Sequence, residues 1–116
     1  MLCNDNLSIY SGNDDQIVPT LSLGGIGVIS VLSNLYPKYV HDMVYNYLNG
    51  NINKALNMQL HSLPLIHLLF SEVNPTPIKY AMNQIGFKCG IPRLPLIELS
   101  DYNKEKLKSA IQNFNY

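Results

Sequence analysis

A chain of 116 residues has room for one small domain, and a hydrophobic content of 47% excludes a disordered one. Eight basic against eight acidic side chains give a formal net charge of zero, without the basic stripe of a nucleic-acid binder. Charged residues make up only 14%, against a typical ~25%, so much of the surface is expected to lie under more chain or under other subunits.

Residues 7–11, LSIYS, are apolar and partly β-branched or aromatic, and Gly12 ends them. They predict a short buried strand. Asp14 to Leu23 predicts a short helix with Asp14 as its cap, Ile17, Val18 and Leu21 on its apolar face, and Gly24-Gly25 as its stop. Pro19 is tolerable there only near the first turn. Residues 27–33, GVISVLS, are a continuous apolar run and predict a second strand, buried on both faces of a parallel sheet. Strand, helix and strand then form one compact, right-handed unit with the strands adjacent.

From Asn34 onward the pattern is helical. Pro37 opens a helix with Val40, Met43, Val44, Tyr47 and Leu48 at helical spacing, stopped by Gly50. Residues 51–70 predict a second helix, kinked at Pro64, whose apolar positions are assigned to the core rather than to a partner. Asn74-Pro75 reads as cap and first turn of a third, ended by Gly86. Residues 87–99, with Gly90, Pro92 and Pro95, are a loop, and Ser100 caps a last helix carrying Leu107, Ala110, Ile111 and Phe114. A parallel pair of strands alone has two open edges and is rarely stable. The chain therefore reads either as a fragment of a larger α/β protein or as one that completes such a protein in trans.

Several chemical readings fail on spacing. Gly24-Gly25-Ile26-Gly27 precedes a strand rather than following one, so it is a turn and not a phosphate loop. His61 and His67 are six apart and do not share a helix face, and His41 is isolated, so no metal site is expected. Asp14 and Asp15, adjacent in sequence, do not face each other as a catalytic pair. Lys79 reads as a solvated or salt-bridged lysine. Cys3 and Cys89 have no metal or redox spacing and fit a reducing, cytoplasmic compartment. Neither a secretory signal nor the ~20-residue apolar run of a membrane span is visible.

IYSGND (9–14), LGGIGVISVLSN (23–34), EVNPTPIKYAM (72–82) and RLPLIELS (93–100) together resemble the dihydrodipicolinate synthase family. That family lies within the pyruvate-dependent Schiff-base aldolases that also hold N-acetylneuraminate lyase. The resemblance covers essentially the whole chain. It implies an α/β fold, the C-terminal fragment of a (β/α)8 TIM barrel. LSIYSG and GVISV would be strands seven and eight, residues 1–50 the last two β/α units, and residues 51–116 a C-terminal helical region. Six strands would be absent from this sequence.

The family chemistry implied is condensation of pyruvate with aspartate semialdehyde through a lysine Schiff base, in lysine biosynthesis. The Schiff-base lysine and the proton-relay tyrosine would fall on the sixth and fifth strands, outside these residues. No catalytic residue is thus assigned, no cofactor is expected, and the chain alone is expected to be inactive. Ile29 matches the position whose backbone contacts pyruvate, and Ser11 and Gly12 match the strand end near the bound substrate. Asn13 stands where Asp is commoner, and Ser33-Asn34 matches the turn after the eighth strand. Gly12 serves close approach to substrate, strand termination, or both. A non-catalytic interaction protein, a chain complementing an incomplete barrel, a homo-oligomer and a fragment of a sugar-acid aldolase remain open.

Overall fold

The computed structural model describes residues 6–115; Cys3 and the first residues lie outside them. Two backbone bonds, from the Ile26 N–H to the Ile9 carbonyl (2.9 Å) and from the Ile29 N–H to the Ser11 carbonyl (2.8 Å), hold two short strands together. These are β1 (Tyr10–Ser11) and β2 (Gly27–Val28), paired in parallel with Tyr10 opposite Gly27 and Ser11 opposite Val28. Among the described residues they form a sheet of two strands, with no third on either side.

Between them lie a 3-10 turn (Asp14–Gln16) and α1 (Ile17–Ser22). Pro19 is the third residue of α1, where its missing N–H costs no helical bond. After β2 comes a second 3-10 turn (Leu32–Asn34), then α2 (Pro37–Leu48), α3 (Ile52–Leu69), α4 (Thr76–Gln84) and α5 (Asp101–Asn113). Gly50 and Gly86 end α2 and α4 with positive φ (82° and 97°), a backbone shape that stops a helix and that other residues adopt at a cost. One continuous core runs through the chain. Ile17 and Leu21 of α1, Leu32, Val40 and Met43 of α2, Leu65, Ile66 and Leu69 of α3, Ala81 of α4 and Leu107 of α5 all belong to it.

Five expectations need correction. The second strand does not run to residue 33. The chain leaves β2 after Val28, and the amides of Val31 and Leu32, which a strand would offer to a neighbour, go to the Asp14 carboxylate instead. The first strand is likewise shorter than 7–11, since regular pairing covers only Tyr10–Ser11. Asp14 does not cap its own helix, and Asn74 caps nothing: α4 begins at Thr76 without a side-chain cap bond. The apolar positions of α3 are not all core. Ala55, Leu65, Ile66 and Leu69 are buried, whereas Ile52, Leu56, Leu60 and Phe70 form a second, outward stripe. Eighteen residues with apolar side chains on two faces cannot bury both against one neighbour. α3 runs unbroken through Pro64, whose ring sits on the exposed side, where the Leu60 carbonyl that loses its donor can meet water.

Candidate functional site

The C-terminal ends of the paired strands carry the three residues singled out for substrate contact. Ser11 is buried; its hydroxyl donates to the Asn13 carbonyl (2.8 Å) and accepts from the Asn13 N–H (3.2 Å). This small loop sets the direction of the chain as it leaves β1. Gly12 lies at its tip. Its φ is not in the left-handed region, and a Cβ built there would meet nothing within 4 Å. Among the described residues no contact requires glycine at position 12, and the space beside its backbone is open. Ile29 is tied to Ser11 by its N–H, while its side chain is 72% exposed. Among the described residues, neither the Ile29 carbonyl nor the Gly12 backbone has a hydrogen-bond partner.

Behind these strand ends sits a buried carboxylate. Asp14, 1% exposed, accepts through Oδ2 from the amides of Val31 and Leu32 (2.9 Å each) and through Oδ1 from the Ser30 hydroxyl. The Ser30 hydroxyl oxygen in turn accepts from the Ser33 N–H (2.8 Å), and Ser33 Oγ donates to the Ser30 carbonyl (2.9 Å). Asp14 thus caps the turn that follows β2, a charge-assisted arrangement stronger than a neutral cap. Gln59 reaches this point from α3. Its Nε2 donates to the Asp14 carbonyl (2.9 Å), and its Oε1 accepts from the Val18 N–H (3.1 Å) at the start of α1.

The glycine turn before β2 is a packing device. A Cβ at Gly25 would fall 2.8 Å from the Thr20 carbonyl, and one at Gly27 would fall 3.0 Å from the Tyr10 ring. The lysine of NPTPIK is a surface side chain that also holds the loop: Lys79 Nζ donates to the Ile91 carbonyl (3.1 Å) in an exposed bond. It works beside Thr76, which donates to the Ile97 carbonyl (3.4 Å), and Asn83, which donates to the Gly90 carbonyl (3.0 Å) and accepts from the Cys89 N–H (2.8 Å). One polar stripe of α4 therefore clamps the 87–99 loop. His41 stacks on Tyr45 at 4.2 Å and His61 packs on Phe114 at 5.0 Å. Among the described residues no three His, Cys, Asp or Glu side chains gather as metal ligands, and no helix is long and apolar enough to cross a membrane.

Comparison with known proteins matches this arrangement to one family. A sequence profile of the Dihydrodipicolinate synthetase family matches residues 1–114. The chain belongs to the dihydrodipicolinate synthetase family. The 4-hydroxy-tetrahydrodipicolinate synthase of Caldicellulosiruptor saccharolyticus is 57% identical over 114 residues, 98% of this chain and 38% of that protein. A crystal structure of dihydrodipicolinate synthase aligns with a TM-score of 0.91 at 38% identity, covering 97% of this chain and 39% of its own. The synthase from Thermotoga maritima aligns with a TM-score of 0.89 at 37% identity over 96% of this chain and 38% of its own. The chain spans about 38% of the length of the curated relatives it matches, in their C-terminal part. A piece of an α/β barrel fits these synthetase-family neighbours.

Two residues of the site region lay beyond the sequence reading. Asp14 was visible as a carboxylate, but its partners lie 16 to 18 residues away. Gln59 had a signal: it occupies the inward phase of α3, between Ala55 and Ser62, where a polar side chain must find a partner.

Proposed function

We propose that this chain forms the C-terminal part of a pyruvate-condensing barrel lyase of the dihydrodipicolinate synthase type, active in the cytoplasm. Residues 1–50 supply its last two β/α units and residues 51–116 its helical extension. The reaction joins pyruvate to aspartate semialdehyde. A lysine amine and the pyruvate ketone lose water to form the Schiff base, and its enamine attacks the aldehyde carbon. Neither that lysine nor the proton-relay tyrosine is among these 116 residues; both come from the part of the barrel that precedes this match.

The observation that carries the reading is the coincidence of the family match over residues 1–114 with strand ends whose polar backbone groups are unspent. In this reading the Ile29 backbone contacts pyruvate, and Ser11 and Gly12 border it. The open space at Gly12 supports a close approach by something outside the described chain, and polar groups that end up buried need partners. The outward apolar side chains Ile9, Tyr10 and Ile26, each about half exposed, favour a complementing barrel chain as the cover of the sheet edge.

The test has two arms. Incubated alone with pyruvate and borohydride, the 116-residue chain should gain no pyruvyl mass. Co-expressed with the preceding 62% of the Caldicellulosiruptor saccharolyticus synthase (the part this chain does not match), it should restore condensation of pyruvate with aspartate semialdehyde. A stable adduct on Lys79 or any other lysine of this chain, or an inactive co-expressed pair, overturns the reading.

A further inference from the structure

Position 29 is held by more than the strand pair. β2 ends at Val28, and the polypeptide must turn within three residues into the 3-10 turn at Leu32. Ile29 sits between two anchors. Its own N–H is fixed to the Ser11 carbonyl at 2.8 Å. The next three residues, Ser30, Val31 and Leu32, are each fixed to Asp14. The peptide unit that carries the Ile29 carbonyl therefore lies between a bond to β1 on one side and a single carboxylate on the other. Asp14 is fixed in its turn: its carbonyl receives Gln59 Nε2, and Gln59 also holds the Val18 amide. Gln59 is 3% exposed, so water does not compete for these bonds.

We infer that Asp14 is a positioning residue for the Ile29 backbone, and that Gln59 extends the same network into the helical region. The inference rests on the substrate-contact reading above, and assigns to this network the orientation of the one backbone carbonyl that reading depends on. At 1% exposure, Asp14 is closed off from a molecule bound at the strand ends. It acts by withholding from Ile29 the freedom to turn its carbonyl away from a bound keto acid. A misplacement of about 1 Å at such a group can cost ~10²-fold in rate or binding.

Asp14→Ala removes all three acceptor contacts. Asp14→Asn keeps the shape: its Oδ1 can still accept from the two amides while its NH2 faces Ser30 Oγ, so it should show a smaller change of the same pattern. On the 116-residue chain, amide exchange at Ile29 should accelerate at least about tenfold in Asp14→Ala, with Ile66 and Leu69 of α3 unchanged. In the co-expressed pair, Asp14→Ala should raise the pyruvate KM about tenfold and leave the KM for the aldehyde and kcat within roughly threefold. Unaltered Ile29 exchange and pyruvate KM overturn the inference. So does a loss that lowers all kinetic constants together with α3 protection, the signature of a merely structural carboxylate. Should Asp14→Ala not fold, Asp14→Asn decides: a change at Ile29 with α3 intact supports the inference, and no change overturns it. An inactive wild-type pair sinks the lyase reading but leaves the exchange measurement, which needs no activity, to decide Asp14.

Discussion

Glu72 shows how one side chain can fasten two distant segments. It follows α3, and its Oε1 accepts from the Ser100 N–H (3.1 Å), the Ser100 hydroxyl (2.6 Å) and Asn103 Nδ2 (2.7 Å) at the start of α5. Ser100 Oγ also caps α5 by accepting from the Asn103 N–H at 3.4 Å. The hydroxyl and amide donors hold the Glu72 carboxyl below its ordinary value, because they stabilise the ionised form. Its folded-state pKa is thus depressed relative to the unfolded one. The stabilisation is fully present above the unfolded value of about 4.5 and is lost as the pH falls through the folded value. The thermal stability of the wild type should therefore fall on acidification below about pH 4.5 more steeply than that of Glu72→Gln. Parallel curves for the two proteins would show that the clasp carries no pH-dependent stability.

At the scale of elements, α3 and α4 each do two jobs. α3 buries Leu65 and exposes Leu60 to 54% on the opposite stripe. Leu65→Ala should cost about 2–5 kcal/mol through lost burial and a residual cavity, whereas Leu60→Ala should stay within about 0.5 kcal/mol. Urea unfolding of a monomeric sample measures both. Equal losses would mean that the outward stripe is covered in solution. α4 packs Ile78 and Ala81 inward while Thr76, Lys79 and Asn83 hold the 87–99 loop from its other side. Asn83 makes a bond to each of Cys89 and Gly90, each worth roughly 0.5–1.5 kcal/mol. Asn83→Ala should speed limited proteolysis within 87–99 and leave the circular dichroism of the helices unaltered. Unchanged cleavage would show that Lys79 and Thr76 suffice.

The whole molecule is lopsided. Its helices share one core, but among the described residues its sheet has two open edges, and Ile9, Tyr10, Ile26 and Ile29 stand out from it. Unpaired strand backbone beside exposed apolar side chains invites pairing with another chain. The 116-residue chain should sediment with a concentration-dependent mass, and Ile9→Lys should suppress that association. Amide exchange should be fast around Tyr10 and Val28 in dilute monomer and slow in α2 and α3. Slow exchange at both strands in a demonstrably monomeric sample would refute the edge argument. Ile29, Val31 and Leu32 are the exception: Asp14 takes the amides of the last two, and Ile29 is held between that anchor and the Ser11 carbonyl.

Local order was legible in the sequence because its causes are local. Pro37 at a helix start, Gly50 and Gly86 at helix ends, Ser100 as a cap and the apolar spacing of α2 act within a turn or two of chain, and the structure has them in place. The family motifs were equally legible, since 9–14, 23–34, 72–82 and 93–100 keep their order. What the sequence could not decide was where polar side chains spend their bonds. Asp14 looked like the cap of the helix it precedes and instead serves a turn 16 to 18 residues onward. The length of β2 followed from that choice, because amides taken by a carboxylate cannot extend a ladder. Which stripe of α3 lies inward was also undecided, since both are apolar and packing against α2, α5 and the first 3-10 turn selects one. A hydrogen bond between distant residues depends on the path of all the chain between them, and that path exists only in the folded molecule.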